Sequence, residues 1–480
     1  MLPTSRFCLL ALLAIPATAH AQRAAGAPAS PASSTLSPNQ REAREILRQL
    51  VNINSTSGTL GVQRAARAVS QRLLAAGFPA ADVQLLGPKP ELTAVVARYR
   101  GRKTGQKPIL LMAHMDVVPA RRADWPFDPF VMVEKEGYYY GRGVEDNKAG
   151  VATIVANFVR WKRERWVPDR DIIAALSADE ETDGASIAWL LKEHRALLDA
   201  EYALNTDGGG GALDQGKAVS NSVQASEKMF TNFRIEVTNP GGHSSVPRAD
   251  NAIYELSAAL AKFGAFQFPR RLNEVSRAYF VQSAATQAPD VAALMRAAAA
   301  DPMDTVAAAK LSALNPYWNS MMRTTCVATR LEAGHADNAL PQRASALVNC
   351  RILPDELADS VQATIQRVVG TGAKVVKAWD PTPSPPSPLR PDVMQAFTAL
   401  TNERFPGATV VPEMSTGATD GLFTRNAGIP TYGVGALFFE QAEPSRAHGQ
   451  EERVGVKAFH DGVEFWYELV KRLAVVRVAQ

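Results

Sequence analysis

From about residue 39 to residue 225 the sequence alternates helical patterns with short apolar runs. "REAREILRQLVNI", "AARAVSQRLLAAG", "PILLMAH", "AGVATIVANFVRWKRE", "DIIAALSA" and "EYALNTDGG" follow one another, and this alternation restricts the fold more than any other feature. It is the pattern of an α/β sheet with covering helices. The pattern resumes near residue 391, with "PDVMQAFTALTNERF" as a helix, "IPTYGVG" as a strand and "VKAFHDGVEFWYELVKRLAVV" as a closing helix. Between these parts, "MFTNFRIEVT" sets Phe233, Ile235 and Val237 against polar neighbours, as a half-exposed strand does. A helix at about 249–263, strands near 323–331 and 343–352, a helix near 355–369 and a strand near 373–379 follow. The order β-α-β-β-α-β is the ferredoxin-like split, interrupted by an Ala-rich helical insertion over about 265–320. The chain therefore reads as a larger α/β domain in two parts, 39–225 and 383–480, with a smaller α+β domain, 226–382, inserted between them. The stiff run "DPTPSPPSPLRP" closes the insertion.

The first residues, "MLPTSRFCLLALLAIPATAHAQ", combine a basic Arg6, an apolar stretch and Ala19-His20-Ala21 in the small-x-small pattern that signal peptidases cut. Residues 1–21 are expected to be a signal peptide, and the Ala-, Pro- and Ser-rich residues 22–38 a flexible tether. The protein is then secreted, or periplasmic in a Gram-negative bacterium. No other stretch approaches the length of a membrane span. The net charge of +4, with acidic and basic residues interspersed, gives no sign of a nucleic-acid binder.

Cys8 leaves with the signal, so the mature chain keeps Cys326 and Cys350. If their strands form an antiparallel hairpin that pairs about Arg330 with Ala346, the two cysteines face each other within disulfide reach. A register slip of one residue would separate them.

Four acidic or His clusters fall at the ends of predicted strands or just after them. "PILLMAHMDVVP" carries His114 and Asp116, "GRGVEDNKAG" carries Asp146, "IIAALSADEE" carries Glu180 and Glu181, and "YALNTDGGGG" carries Asp207. Sites in open α/β sheets form outside the carboxyl ends of the strands, so clusters distant in sequence can meet there. His and carboxylate ligands without thiolates suit zinc, cobalt or manganese in a catalytic site. His448, in "SRAHGQEERVG", is the remaining His in a comparable loop. No His-Glu-x-x-His helix is present, which excludes a single-zinc protease of that kind.

These stretches, together with "GGHSSVP", "DNALPQRASALVNCRILP" and "TGATDG", resemble the dizinc metallopeptidases and amidohydrolases that include glutamate carboxypeptidase G, carboxypeptidase S, carnosinase, aminoacylase and acetylornithine deacetylase. They occur in the family's order and cover nearly the whole mature chain. The resemblance implies a zinc-exopeptidase-like catalytic domain with a ferredoxin-like lid and dimerisation domain. It implies two Zn²⁺ per subunit, with Co²⁺ or Mn²⁺ as substitutes. Asp146 would bridge the ions, His114 and Asp207 would complete one ligand set, and Glu181 and His448 the other. Asp116 would orient His114, and Glu180 would act as general base. In the smaller domain His243 would donate to the tetrahedral oxyanion from a partner subunit. Asn338 and Arg351 would contact substrate, and Gly417 would let the backbone approach it closely. Asp179 receives no role, and His194, His335 and His460 read as surface or loop residues. "DEETDGAS" departs from the family in lacking the paired glycines that many relatives carry after the acids.

The function expected from this reading is hydrolysis of an amide bond next to a free carboxylate, by a carboxypeptidase, dipeptidase or N-acyl-amino-acid hydrolase acting as a homodimer. The partners are a small peptide or N-acyl amino acid and a second copy of the chain. The alternatives are an aminopeptidase on a related dizinc core and a non-catalytic zinc-dependent dimer that only binds peptides. Glu180 argues against the latter, since binding alone requires no base beside the ligands.

Overall fold

The apolar runs ending at His114, Ser177 and Asn205 lie side by side in the computed structural model. Strand Ile109–His114 is parallel both to Ile172–Ser177 and to Tyr202–Asn205. Both faces are covered, so all six residues of Ile109–His114 and of Ile172–Ser177 are buried and neither run alternates. The structure describes residues 36–475 except 103–104, 301–302, 436 and 444. The expected signal peptide and residues 22–35 of the expected tether lie outside the described residues.

The central sheet is mixed. Ala94–Tyr99 joins Ile172–Ser177 antiparallel, and Thr431–Gly433 extends the other side parallel to Tyr202–Asn205. Beyond it come Lys217–Glu227, Gly210–Asp214 and Phe438–Glu440, with Thr409–Ser415 parallel to Lys217–Glu227. Helices Pro38–Val51, Lys148–Arg163 and Val456–Leu473 cover one face through Leu47, Leu50, Phe158, Trp161, Phe465 and Trp466. The first begins with a capping box, in which Ser37 Oγ accepts from the Gln40 amide at 3.2 Å and Gln40 Oε1 from the Ser37 amide at 2.8 Å. No helix among the described residues is long and apolar enough to cross a membrane.

A second, four-stranded sheet has the order Thr325–Ala333, Arg343–Ile352, Met229–Thr238, Lys374–Lys377. Its own core takes Phe233, Ile235 and Val237 from one strand, and Leu256 and Ile365 from helices Ala252–Ala265 and Ala358–Val369. Cys326 faces Cys350 and the two form a disulfide. Arg330, however, pairs with Leu347 and not with Ala346. An extra residue, Thr329, bulges out between the two halves of the ladder and shifts everything after Ala328 by one.

The helical insertion expected within the smaller domain packs elsewhere. Helices Glu274–Ser283, Pro289–Ala298, Thr305–Leu314 and Pro316–Met321 send Val275, Phe280, Met295 and Leu311 into the core of the larger sheet, together with Met414. Tyr317 donates its hydroxyl to Glu413 Oε1 at 2.6 Å on the neighbouring strand. The chain crosses between the sheets at Glu227 and Lys228, both without exposed surface. Glu227 pairs with the buried Arg425, and Lys228 Nζ donates to the Arg323 carbonyl at 2.7 Å. His460, expected near the surface, is buried against Tyr139 and Phe459, because it falls on the apolar face of the closing helix.

Candidate metal centre and active site

Parallel pairing brings three chemistry-bearing segments to one edge of the sheet. His114 ends the middle strand, Glu180 and Glu181 follow the strand on one side, and Asp207 follows the strand on the other. Asp146 arrives from a loop just before helix Lys148–Arg163, followed by a cis Asp146–Asn147 peptide bond. His448 arrives from the far end of the chain. Strand Arg453–Gly455 runs antiparallel to Tyr138–Tyr140, which seats the 448–452 loop beside residues 141–146.

The ligand atoms converge on two points. His114, Asp146 and Asp207 form one group, and Asp146, Glu181 and His448 the other, each with atoms within 4.8 Å of one another. Asp146 is common to both: Oδ1 is 2.9 Å from His114 Nε2 and Oδ2 is 3.2 Å from His448 Nε2. His448 Nε2 also lies 2.8 Å from Glu181 Oε2, and His114 Nε2 lies 3.9 Å from Asp207 Oδ2. Glu180 Oε2 stands 3.9 Å from His114 Nε2.

The buried Asp116 organises the cluster. Its carbonyl takes the His114 Nδ1 hydrogen at 3.1 Å, with Oδ1 at 3.4 Å, so Nε2 is the nitrogen turned toward the acids. Its carboxylate also accepts the amides of Glu180 and Glu181, each at 3.1 Å, and the Ser57 hydroxyl at 2.6 Å. Asp179 is structural. Its carboxylate takes the amides of Ala185 and Ser186 at 2.7 and 2.9 Å, opening helix Ala185–Glu193. Gly184 stands directly before that helix. It sits at φ 60°, and a Cβ there would meet Phe423 at 2.2 Å.

The electrostatics call for cations. Burial pushes Asp207 up to about 7 and Glu180 well above the usual carboxylate range, with neighbouring acids adding to both. Burial would raise Asp146 too, but hydrogen bonds from His114 and His448 outweigh it and hold the carboxyl below the ordinary range. Hydrogen bonds to Asp146 and Glu181 push His448 up to about 10. Glu181 Oε1 is buried without a hydrogen-bond partner. Crowded acids, one orphaned oxygen and two imidazoles turned inward form a donor set that fits two divalent ions of the zinc, cobalt or manganese type.

The residues of the smaller sheet do not join this cluster. His243 is exposed on a two-residue ladder opposite Ala339, where its Nδ1 is 2.7 Å from Ser245 Oγ. Asn338 stands beside it, its carbonyl accepting the Ser244 amide at 3.0 Å. Arg351 lies over the Phe230 ring at 5.1 Å with no carboxylate partner among the described residues. Gly417 needs no glycine for its shape: φ is not positive, and a Cβ would meet only Ser415 Oγ at 3.5 Å. Close packing of the protein on itself does require glycine in "DGGGG", where Gly208 and Gly209 lie against Gln224 and the Gly433 backbone.

Two residues that the sequence motifs left without a role, Glu452 and Arg142, also shape the centre. Glu452 has no exposed surface and accepts the amides of Gly143, Glu145 and Asp146 at 2.8, 2.9 and 3.0 Å, as well as Arg142 Nη1 at 2.7 Å. An acid four residues after a ligand His, directly before a strand, was the available signal.

The sequence profile of "Peptidase family M20/M25/M40" matches residues 110–472. The human N-fatty-acyl-amino acid synthase/hydrolase PM20D1 is 28% identical over 384 residues, 78% of this chain and 75% of that protein. The fold superimposes on an M20 family metallo-carboxypeptidase from Sulfolobus solfataricus with a TM-score of 0.66 at 18% identity, covering 91% of this chain and all of that one. It also superimposes on a dinuclear metal-binding M20 peptidase from Bacillus subtilis, with a TM-score of 0.56 at 15% identity, covering 90% of this chain and 98% of that one. A profile match over most of the chain, laid on a cluster with two ligand sets, identifies this protein as a member of peptidase family M20/M25/M40 and a hydrolase of carbon–nitrogen bonds.

Proposed function

We propose that the protein is an exported dizinc hydrolase that cleaves an amide bond next to a free carboxylate, with N-acyl amino acids as its foremost substrates and short peptides with a free carboxyl end beside them. The observation that carries this reading is the position of Asp146, in reach of His114 on one side and His448 on the other. Asp207 and Glu181 complete the two sets. The similarity to an N-fatty-acyl-amino acid synthase/hydrolase supports the acyl class. The guanidinium of Arg351, without a carboxylate partner among the described residues, supports a carboxylate in the substrate, which its planar fork suits.

His114, Asp146 and Asp207 would hold one ion and Asp146, Glu181 and His448 the other, and the bound metal would supply an acidified water and Lewis-acid polarisation of the scissile carbonyl. Glu180 would accept the proton of the attacking water and pass it to the leaving amine. Its place at the edge of the cluster, 3.9 Å from His114 Nε2, suits it to both transfers. Asp116 keeps Glu180 and His114 in register by holding both. His243, with Asn338 beside it, would supply a hydrogen bond to the oxyanion from a second subunit. The exposed edge strand Thr325–Ala333, with Val327 and Leu331 turned outward, offers the surface for that dimer.

The test is zinc-loaded protein incubated with N-acyl amino acids of graded acyl length, free dipeptides and the corresponding amides, read by mass spectrometry. The free acids should be cleaved and the amides spared. Cleavage of amides and acids alike, or of neither, would defeat the proposal.

A further inference from the structure

Arg142 and Glu452 are an ion pair almost without exposed surface, at 3% and 0%, and neither belongs to the ligand sets. Glu452 fills a hollow of backbone amides. Oε1 takes those of Glu145 and Asp146, and Oε2 takes that of Gly143 together with Arg142 Nη1. Arg142 then reaches back with Nη2 to the carbonyls of His448 and Gly449, at 3.2 and 3.0 Å. Its guanidinium lies 5.4 Å over the buried Trp125 ring, which leaves little freedom to turn away. One pair therefore clamps the loop of Asp146 to the loop of His448.

The second loop needs such a clamp. His448 and Glu451 stand at φ 64° and 52°, where side chains rarely go, so the loop would not hold this shape alone. His114 and Asp207, in contrast, end or closely follow strands of the central sheet and take their positions from it.

We infer that Arg142 and Glu452 are positioning residues for the metal position formed by Asp146, Glu181 and His448, and that they act more strongly on it than on the position formed by His114, Asp146 and Asp207, which shares only Asp146 with it. The inference rests on the two-ion reading of the site. Partners that hold ligands in place commonly contribute about 10- to 100-fold in metal affinity.

Cobalt titration of the metal-free protein, followed by calorimetry and visible absorption, tests it with Arg142→Lys and Glu452→Gln. Lysine keeps the charge but lacks the two separated nitrogens with which Arg142 spans Glu452 and the two carbonyls. Glutamine keeps the shape but turns an N–H₂ toward amide donors. The native protein should bind two ions. Each variant should weaken the second binding step by about 10- to 100-fold and the first by less, with turnover restored by excess metal at unchanged KM. Arg142→Lys is the milder change and carries the test if Glu452→Gln fails to fold. Two unchanged steps, or two steps weakened equally, would overturn the inference. A native protein that binds fewer than two ions would instead defeat the reading beneath it.

Discussion

The carboxylate of Asp116 accepts the backbone amide of Glu180 at 3.1 Å while its carbonyl and Oδ1 hold the ring of His114. One residue thus fixes the proposed ligand on one strand and the proposed general base after its neighbour. Asp116→Asn should damage both, because an amide group can satisfy only part of what the carboxylate accepts from Glu180, Glu181 and Ser57. The expected outcome is a fall in metal affinity of about 10- to 100-fold together with a lower kcat at saturating metal, measured by chelator competition and steady-state kinetics. An unchanged kcat once metal is restored would remove the link to Glu180.

Glu180→Gln and Glu181→Gln should separate chemistry from binding. The first keeps every proposed ligand and removes the base, a loss of about 10² to 10⁴ in rate, with two ions still present by elemental analysis. The second exchanges an anionic ligand for a neutral one and should release metal. The reverse pattern would exchange the roles of the two residues.

His460 gives the fold an acid limit. Burial, with a smaller contribution from Arg44, lowers it to about 4, against about 6.5 in an unfolded chain. Between those values the unfolded chain binds a proton that the folded protein does not, so stability is complete above about pH 6.5 and falls toward pH 4. The full loss is on the order of 3 kcal/mol. His460→Gln should flatten the drop in melting temperature between about pH 7 and pH 4.5. An equally steep drop in the variant would place the acid sensitivity elsewhere.

The Cys326–Cys350 bridge closes a loop with a sequence separation of 24 and ties the edge strand to its neighbour. Loop entropy assigns it about 3 kcal/mol. Dithiothreitol should lower the melting temperature of the oxidised protein and leave a Cys326→Ala/Cys350→Ala variant unaffected. A native protein insensitive to reductant would show that the bridge contributes nothing.

Much of the site could be read from the sequence because the chemistry sits at strand ends. Buried apolar runs announce the strands, and acids or His directly after them stand out. The long strand Lys217–Glu227 does not announce itself: Asn221, Gln224, Ser226 and Glu227 are all buried. Asn221 bonds to Thr401, and Gln224 to Glu227, partners that no local pattern reveals. The helices after residue 273 misled for a related reason, since spacing shows that a face is apolar but not which sheet it meets. The disulfide register was reached despite the unseen bulge at Thr329, because the bulge lies beyond the cysteines and shifts only the far half of the ladder.

The loop bearing His448 and Glu452 is fastened to residues encoded some three hundred positions earlier. A ribosome delivers His114, Asp146, Glu181 and Asp207 long before it reaches them. A chain that stops short of residue 448 lacks both the imidazole of the proposed second metal position and the acid that shapes its loop, and one that stops between 448 and 452 lacks the acid alone. Such a truncated copy keeps Asp146 and Glu181 of that position and nothing to fasten a third donor beside them.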